Sequence, residues 1–371
     1  MGGDRLGGGG GDGQDQAMMG RALALAGTAR VRAHPNPWVG AVLRAADGQI
    51  FEGATAEPGG PHAEAAALGA AGGRARGATL WCTLEPCAHH GRTPPCADAL
   101  VAAGVRRVVV ALEDPDLRVS GRGLERLRTG GVDVTTGVRA TEVEDQLAPY
   151  LAQRRRGRPW VVLKLAATLD GRTAAADGSS KWITGAAARA DAHRLRAESD
   201  AVVVGAGTVR ADDPSLTVRL ADGPDPLRVV LGKAPPSARV HPALELSGHP
   251  HEVLAELRRR GCVQVLVEGG PTVAGAFHRA GVVDRYVVYL APTLLGGDDG
   301  LPLFSGPGTA TLAGAWRGRI EALTRLGDDL RLDVAGPGGA PAFRLDETSH
   351  QATGRQGAVD SVAPRPRQAS R

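Results

Sequence analysis

The first half of the chain alternates short apolar runs with helical patterns of apolar residues. The strand patterns are AVLRAADGQIFEGAT (41–55, a pair around the turn Asp47-Gly48), ATLWCTLEP (78–86) and RRVVVALEDP (106–115). The helical patterns are AMMGRALALAG (17–27), HAEAAALGAAG (62–72) and TPPCADALVAAG (93–104). This alternation predicts an α/β layered domain with a mostly parallel sheet.

The second half repeats the α/β pattern without repeating the sequence. Its strand patterns are WVVLKLAAT (160–168), DAVVVGAGT (200–208), LRVVLG (227–232), CVQVLVEGG (262–270) and DRYVVYLAP (284–292). Its helical patterns are GAAARADAHRLRAES (185–199), HEVLAELRRRG (251–261) and TVAGAFHRAG (272–281). We therefore predict two domains, residues 17–150 and 160–336, joined by a linker at 151–159, LAQRRRGRP. Residues 1–16 and 337–371 have too little apolar sequence to order themselves and are predicted to be disordered.

Composition limits the class of protein. The 371 residues include only four cysteines and start without a signal-peptide pattern, so we expect a cytoplasmic protein with reduced thiols. Arg, Asp or Gly interrupts every apolar run, which predicts no membrane span. The net charge of +4 is scattered along the chain, which argues against nucleic acid as a partner. Cys82 and Cys262 lie in strand patterns and are interpreted as core residues.

The remaining two cysteines stand near histidines in the first half. His62, Cys87 and Cys96 supply the nitrogen and sulfur ligands that zinc prefers, and three protein ligands leave a fourth position for water. Zinc in such a site lowers the pKa of a bound water to about 7. Glu64 is the candidate proton shuttle. Since residues two apart on a helix point apart, we expect His62 at the helix entrance and Glu64 reaching back over the metal.

This pattern partly matches the H-x-E and P-C-x-x-C signature of zinc deaminases of cytosine and adenine. Here eight residues, instead of two, separate Cys87 from Cys96. Three other interpretations stay open: a structural cage closed by His89 or His90, a nucleoside or tRNA zinc deaminase with a fused ligand-binding domain, and a noncatalytic module that zinc merely staples.

Longer motifs resemble one family. They are HPNPWVGAV (34–42), PHAEAAAL (61–68), TLEPCAHHGRTPPCADAL (83–100), GRGLERLRTGGV (121–132), KLAATLDGRTAAADGSSKWIT (164–184), VVVGAGTVRADDPSLTVR (202–219), LVEGGPTVAGAF (266–277) and YLAPTLLGG (289–297). Together they resemble the bifunctional deaminase/reductase family of riboflavin biosynthesis. The resemblance implies a cytidine-deaminase-like zinc domain followed by a dihydrofolate-reductase-like domain, and a homo-oligomer is expected.

For the first half, the resemblance implies deamination of a diaminopyrimidinone that carries a ribosylamino 5-phosphate. Asn36 matches the position that recognises the pyrimidine, although it could simply form the turn before Pro37. His89 and Arg92 match substrate contacts. Where the family reads D-P-N-P, this chain has Asp116 in place of the asparagine. A carboxylate there would repel a phosphate ester.

For the second half, glycines at strand ends allow either phosphate binding or ligand-free tight turns. The resemblance favours NADPH, with the sugar unit reduced to a ribityl chain. It assigns the cofactor to Ala166, Trp182, Thr208, Asp212, Gly270, Pro271, Thr272, Val273, Ala274, Gly275 and Ala276. It assigns the phosphorylated pyrimidine substrate to Ser180, Arg196, Leu216, Arg219 and Glu268, with the two arginines as phosphate clamps. Lys164 and Asp170 are candidates for proton transfer or positioning, although Lys164 could also be a core-edge residue.

Overall fold

The computed structural model describes residues 9–88, 94–116 and 119–336. The first half comprises α1 (Gly9–Ala29), β1 (Gly40–Arg44), β2 (Ile50–Ala54), α2 (Ala63–Ala71), β3 (Thr79–Leu84), α3 (Cys96–Ala102), β4 (Arg107–Leu112), α4 (Arg122–Thr129), β5 (Asp133–Thr136), α5 (Ala140–Gln146) and α6 (Ala148–Arg156). The second half comprises β6 (Trp160–Thr168), β7 (Arg172–Ala174), α7 (Ala186–Ala197), β8 (Ala201–Gly205), α8 (Ala206–Asp212), β9 (Leu227–Leu231), β10 (Leu244–Leu246), α9 (Pro250–Arg259), β11 (Gln264–Val267), α10 (Pro271–Arg279), β12 (Arg285–Ala291), β13 (Leu301–Pro302), β14 (Arg319–Leu326) and β15 (Asp329–Ala335).

The first sheet has the strand order β2-β1-β3-β4-β5. β3, β4 and β5 are parallel, whereas β1 is antiparallel to both of its neighbours, so the sheet is mixed. A glycine in a strand of this sheet lets a helix pack closely against it. A Cβ atom on Gly53 of β2 would lie 2.0 Å from the Ala63 carbonyl oxygen, so only glycine lets the first turn of α2 approach so closely.

The second sheet has the order β10-β9-β8-β11-β6-β12-β15-β14. The strands from β10 to β12 are parallel, as the apolar runs predict, and β15 and β14 add an antiparallel edge. A small sheet pairs β13 with β7. The central strands are buried on both faces, for example in the run Val202 to Val204, so helices cover both sides.

The prediction of disorder through residue 16 is wrong for residues 9–16, because α1 begins at Gly9. Asp15 supplies the physical reason. Its buried carboxylate accepts hydrogen bonds from Trp81 Nε1 at 2.8 Å and from Arg107 Nη2 at 2.7 Å, which tie this turn of the helix to β3 and β4. Residues 1–8 and the predicted tail at 337–371 lie outside the described residues.

The predicted linker at 151–159 is mostly helix, since α6 continues to Arg156 and only residues 157–159 connect it to β6. The arginine run suggested an irregular segment, but Tyr150 and Leu151 of this helix are buried in the first core. Asp284 of the second half then holds the connection. Its carboxylate accepts hydrogen bonds from Arg156 Nη1 and Arg158 Nη1, each at 2.6 Å.

The two halves share apolar and polar contacts. Val263, just before β11, is buried within the core cluster of the first half. Gln153 Nε2 of α6 donates to the Cys262 carbonyl oxygen at 3.3 Å. Cys82 and Cys262 are buried as expected, and all four cysteines are free thiols. Within the described residues, no helix has the length and apolar character needed to cross a membrane.

Candidate active sites

Three predicted metal ligands meet where α2 and α3 begin. His62 is the N-cap of α2, and Cys96 is the first residue of α3. The His62 Nδ1 atom lies 3.6 Å from the Cys87 Sγ atom and 3.4 Å from the Cys96 Sγ atom. Tetrahedral zinc with ordinary bond lengths places nitrogen and sulfur ligands about 3.6 Å apart. The three donors therefore fit a zinc ion, as predicted.

The thiols share a hydrogen bond that prepares them for a cation. The Cys96 thiol donates to Cys87, which lowers the pKa of Cys87 and raises that of Cys96. The backbone N–H of Cys96 also donates to Cys87 Sγ at 3.3 Å. A thiolate is the form that binds metal, so one ligand is close to its binding state in advance.

Glu64 is the second residue of α2 and only 4% exposed. It stands close enough to the Cys96 thiol to accept a hydrogen bond, so the carboxyl reaches back over the metal site as expected. Burial, and next the negative charge of Cys87, raise the pKa of Glu64 to about 7. A carboxyl with that pKa can both accept and donate a proton near neutral pH.

Glu85 is a site residue that sequence reasoning missed. Its buried carboxylate accepts hydrogen bonds from the backbone N–H groups of Asp114 at 3.1 Å, Gly121 at 2.9 Å, Gly123 at 2.8 Å and Leu124 at 3.3 Å. These contacts fix the loop after β4 against the segment that carries Cys87. The sequence feature that could have identified Glu85 is its position two residues before the metal ligand Cys87.

Asp116, the departure from the family pattern, faces a positive charge. Arg154 Nε of α6 lies 3.4 Å from Asp116 Oδ2, and the guanidinium also stacks over the Tyr150 ring at 5.1 Å. The Tyr150 hydroxyl donates to Asp114 Oδ1 at 3.1 Å. Arg154 therefore offsets the charge that was expected to repel a phosphate ester.

The predicted pyrimidine contact Asn36 is half-buried, and its backbone N–H donates to the Ala33 carbonyl oxygen at 2.8 Å. Its backbone thus takes part in a turn, and the side-chain role stays a prediction. His89, His90 and Arg92 lie outside the described residues.

The second half contains a cleft of about 550 Å³, a size typical of small-molecule sites. The predicted residues that line it are Lys164, Ala166, Ser180, Trp182, Arg196, Thr208, Asp212, Leu216, Arg219, Glu268 and Pro271. Chain segments more than 100 residues apart in the sequence supply this lining. The cleft is therefore a single site built from the predicted cofactor and substrate residues.

Other predicted cofactor residues lie behind the cleft rather than on its wall. Gly270 is the N-cap of α10, and its N–H donates to Thr208 Oγ1 at 3.2 Å. The side chain of Ala274 is buried in the core of the second half. The other predicted cofactor residues of this helix that do not line the cleft are Thr272, Val273, Gly275 and Ala276.

Arg196 has a different partner from the predicted phosphate. Its Nε atom donates to Glu268 Oε1 at 2.5 Å and its Nη2 atom donates to Oε2 at 2.9 Å. Burial alone would raise the pKa of Glu268, but Arg196 and then Lys164 hold that pKa below its ordinary value. The two residues form a buried ion pair, so Arg196 is not a free phosphate clamp.

Lys164 lies at the floor of the same cleft. Burial lowers the pKa of its ammonium, while the Glu268 charge opposes this shift. The Nζ atom lies 5.9 Å from the centre of the Tyr289 ring. Lys164 is thus a half-buried ammonium that gives up its proton more readily than an exposed lysine and lies near the Glu268 carboxylate, which suits proton transfer better than a surface role.

Arg219 is exposed at the mouth of the cleft and has hydroxyl partners, Ser215 and Thr217, with no ion pair among the described residues. Its backbone N–H donates to His193 Nδ1 at 3.0 Å. Sequence reasoning missed His193, although it stands three residues before Arg196 on α7 and so shares its helix face.

Asp170 does not line the cleft. Its exposed carboxylate accepts hydrogen bonds from Thr168 Oγ1 at 2.5 Å, Leu295 N at 3.0 Å and Gly296 N at 2.8 Å. The carboxylate closes the turn after β6 and ties it to a neighbouring loop. The prediction that Asp170 transfers a proton is not supported by this position.

Comparisons with known proteins agree with both sites. Residues 12–112 match the cytidine and deoxycytidylate deaminase zinc-binding region, and residues 159–332 match the RibD C-terminal domain. The first match contains His62, Cys87 and Cys96, and the second contains the whole cleft.

Relatives match along most of this chain, across both of these regions. The riboflavin biosynthesis protein RibD of Escherichia coli is 41% identical over 367 residues, which cover 87% of this chain and 100% of that protein. The RibD structure of Acinetobacter baumannii, form 1, has a TM-score of 0.82 and 38% identity, covering 88% of this chain and 99% of that one. A Thermotoga maritima structure described as a diaminohydroxyphosphoribosylaminopyrimidine deaminase/5-amino-6-(5-phosphoribosylamino)uracil reductase has a TM-score of 0.80 and 34% identity, covering 88% and 99%. The chain therefore belongs to the RibD family of bifunctional riboflavin biosynthesis enzymes, with a zinc-dependent deaminase domain followed by a reductase domain.

Proposed function

We propose that the chain deaminates 2,5-diamino-6-(5-phosphoribosylamino)pyrimidin-4-one and then reduces the ribosyl chain of the product with NADPH. The observation that carries this proposal is the presence of two separate sites: a His-Cys-Cys site beside the buried Glu64, and a cleft lined by the half-buried Lys164. Each site suits one of the two reactions that the Thermotoga maritima relative is named for.

In the deaminase site, the reaction exchanges an amino group for oxygen, consuming water and releasing ammonia. Zinc held by His62, Cys87 and Cys96, when bound, makes water a nucleophile near neutral pH. Glu64 takes a proton from the water and passes it to the departing nitrogen, which its pKa of about 7 allows. Asn36 is proposed to orient the pyrimidine, and His89 and Arg92 to contact the substrate.

In the reductase cleft, NADPH supplies a hydride when bound. Opening of the sugar ring gives a C1 carbon doubly bonded to nitrogen, and the product gains hydride at C1 and a proton at nitrogen. Lys164 is the proposed proton donor, since its buried ammonium gives up a proton more readily than an exposed lysine. Arg219 is the proposed phosphate contact, and the Arg196–Glu268 pair the proposed rigid wall against the sugar.

One assay tests the deaminase proposal. The zinc-loaded chain is given the diaminopyrimidinone phosphate without NADPH, and ammonia and product mass are measured. Glu64→Gln should retain zinc and fold but release no ammonia. Unchanged deamination by this variant would contradict the mechanism, and activity on cytidine, adenosine or tRNA instead would favour another zinc deaminase. A purely structural zinc would give no reaction at all.

A second assay tests the reductase proposal with the deaminated substrate and NADPH oxidation. Lys164→Met should lose most of the turnover. Lys233→Met is the matched control, because the Lys233 side chain is 88% exposed and pairs with Glu245 far from the cleft lining. Equal loss in both variants would contradict the role of Lys164.

We also propose that the chain is a homo-oligomer in the cytoplasm. β14 is the free edge of the second sheet, and Ile320 and Leu323 on this strand are exposed. Apolar side chains on an unpaired edge favour association with another chain. Light scattering measures the mass in solution, and a monomer at micromolar concentration would contradict the proposal.

A further inference from the structure

His193 is a buried residue of the reductase cleft, and neither of the proposed reaction steps uses it. It lies on α7, is 6% exposed and forms part of the cleft lining. Its Nδ1 atom accepts the backbone N–H of Arg219 at 3.0 Å. A ring nitrogen that accepts a hydrogen bond carries no hydrogen, so this contact requires the neutral imidazole with its proton on Nε2.

The segment 213–219, which follows α8 and ends at Arg219, has a backbone shape that it would not keep unaided. Asp213 and Leu216 have φ angles of 41° and 54°, in the left-handed region that favours glycine. Residues with a side chain adopt this region only where surrounding contacts hold them there. The segment therefore depends on contacts from neighbouring elements.

Three side chains from outside the segment hold its last three residues. Arg196 Nη1 donates to the Thr217 carbonyl oxygen at 3.3 Å. The Val218 backbone N–H donates to Asp225 Oδ1 at 2.7 Å. His193 accepts the next N–H along the chain. Each of these backbone groups meets one side chain, so loss of the histidine acceptor would release the end of the segment.

Arg219 gives the position of this end a consequence for binding. Its side chain is exposed at the mouth of the cleft, and its Nη1 atom donates to the hydroxyls of Ser215 and Thr217. Hydroxyl groups do not neutralise a guanidinium, and in the described part of the chain Arg219 has no ion pair. Its charge is therefore available to an anion, and the place where it meets that anion depends on where its backbone is held.

The charged groups that face the His193 ring come from α7, from the segment and from the end of β11. Burial lowers the pKa of His193, and the charges of Arg196 and Arg219 lower it further. Glu268 and then the Thr217 carbonyl oxygen oppose this shift without reversing it. The neutral ring is therefore the form present at pH 7, and acid would turn the accepting nitrogen into a donor and break the contact.

We propose that neutral His193 is a positioning residue of the reductase reaction: by accepting the Arg219 backbone N–H, it fixes Arg219 where the phosphate of the substrate binds. This inference rests on the proposed reductase function and on Arg219 as its phosphate contact. His193 has no contact with the reacting atoms in this role. Its effect should therefore appear in KM for the phosphorylated substrate and not in kcat or in KM for NADPH.

NADPH oxidation by the wild type, His193→Leu and His193→Asn tests the proposal. The substrates are the deaminated pyrimidine phosphate and the same compound without its phosphate. The asparagine side-chain oxygen can take the place of Nδ1 and does not titrate, whereas leucine accepts no hydrogen bond. His193→Leu should raise KM for the phosphorylated substrate about tenfold, the effect of one lost hydrogen bond, and His193→Asn should restore most of it.

Two controls accompany these variants. Both should keep the wild-type KM for the compound without phosphate, and a wild-type kcat shows that the reductase domain is folded. His251→Leu is the matched control, because His251 is an exposed histidine of α9 that does not line the cleft. It should change neither KM.

The pH dependence of KM gives a second test. As the pH falls through the lowered pKa of His193, KM of the wild type should rise more steeply than KM of His193→Asn. Protonation of the substrate phosphate, which has a second pKa of about 6, affects both enzymes equally. This comparison decides the question even if His193→Leu does not fold.

Four results would overturn the inference: an unchanged KM in His193→Leu, equal impairment of His193→Asn and His193→Leu, an equal rise in KM for the compound without phosphate, or parallel pH profiles of the wild type and His193→Asn. Failure of the proposed function looks different, because the wild type itself would then not oxidise NADPH with either compound. That outcome would refute the reductase proposal and the role of His193 together.

Discussion

Replacing the buried Glu85 with glutamine should destabilise the deaminase domain. In glutamine one of the two oxygens becomes an NH₂ group, so two of the four backbone N–H groups that Glu85 binds would face a donor. An unsatisfied buried donor costs about 1–3 kcal/mol, so the expected loss of unfolding free energy is about 4 kcal/mol. For a domain of roughly 150 residues this corresponds to a fall in Tm of about 10 °C.

Scanning calorimetry of the zinc-loaded protein measures the change in Tm. Turnover assays of the two reactions show which domain is affected. Deamination should fall with zinc content, because Glu85 fixes the segment that carries Cys87, while NADPH oxidation should persist at 25 °C. Glu113→Gln is the control, since Glu113 is exposed and the hydrogen bond that its carboxylate accepts within the described part of the chain comes from the Ser120 hydroxyl. A Tm for Glu85→Gln within about 2 °C of the wild-type value would refute the reasoning.

Three further predictions concern metal, charge and pH. Removing zinc with a chelator should abolish ammonia release and spare NADPH oxidation of the deaminated substrate, and zinc should restore the first activity; parallel loss of both would contradict separate sites. Arg154→Gln should raise the KM of deamination about fivefold, equivalent to about 1 kcal/mol, because it removes the positive charge beside Asp116, whereas Asp116→Asn should change KM by less. The lowered pKa of Glu268 means that its pairing with Arg196 stabilises the reductase domain above the unfolded pKa of 4.5 and that this stabilisation is lost as the pH falls through the lower folded pKa. The Tm of Glu268→Gln should therefore change less between pH 7 and pH 3 than the Tm of the wild type. If both Tm values fall equally with pH, the ion pair contributes nothing to stability.

Local patterns predicted the parts of the fold that apolar periodicity dictates. The strands β6, β8, β9, β11 and β12 and the helices that carry His62 and Cys96 match the predicted patterns, whereas the short strands β7 and β10 were not predicted. β14 and β15 were missed although residues 329–334 alternate polar and apolar side chains. This alternation does not follow burial, since Asp329 and Asp333 are buried while Leu330 is exposed. The start of α1 was missed because a glycine-rich segment has little helical propensity, whereas the contacts that hold Asp15 come from Trp81 and Arg107, which are distant in the sequence.

Some site residues could likewise be predicted from local sequence, whereas others depend on tertiary packing. The metal ligands could be predicted because their chemistry depends on residue type and spacing. The partner of Arg196 could not, because Glu268 is 72 residues away and only the packing of α7 against the end of β11 brings the two charges together. Asp170 shows the reverse case, since a charged residue within a long family motif turned out to close a turn.

The burial of Val263 in the core of the first domain bears on how such a gene could be divided. A deaminase half expressed alone would end before that side chain, and the part of its core that Val263 covers would be open to water. Separate deaminase and reductase genes would each have to encode a polar replacement for the surface thus uncovered. In this chain fusion is therefore more than a tether, because a side chain of the second half completes the hydrophobic core of the first half.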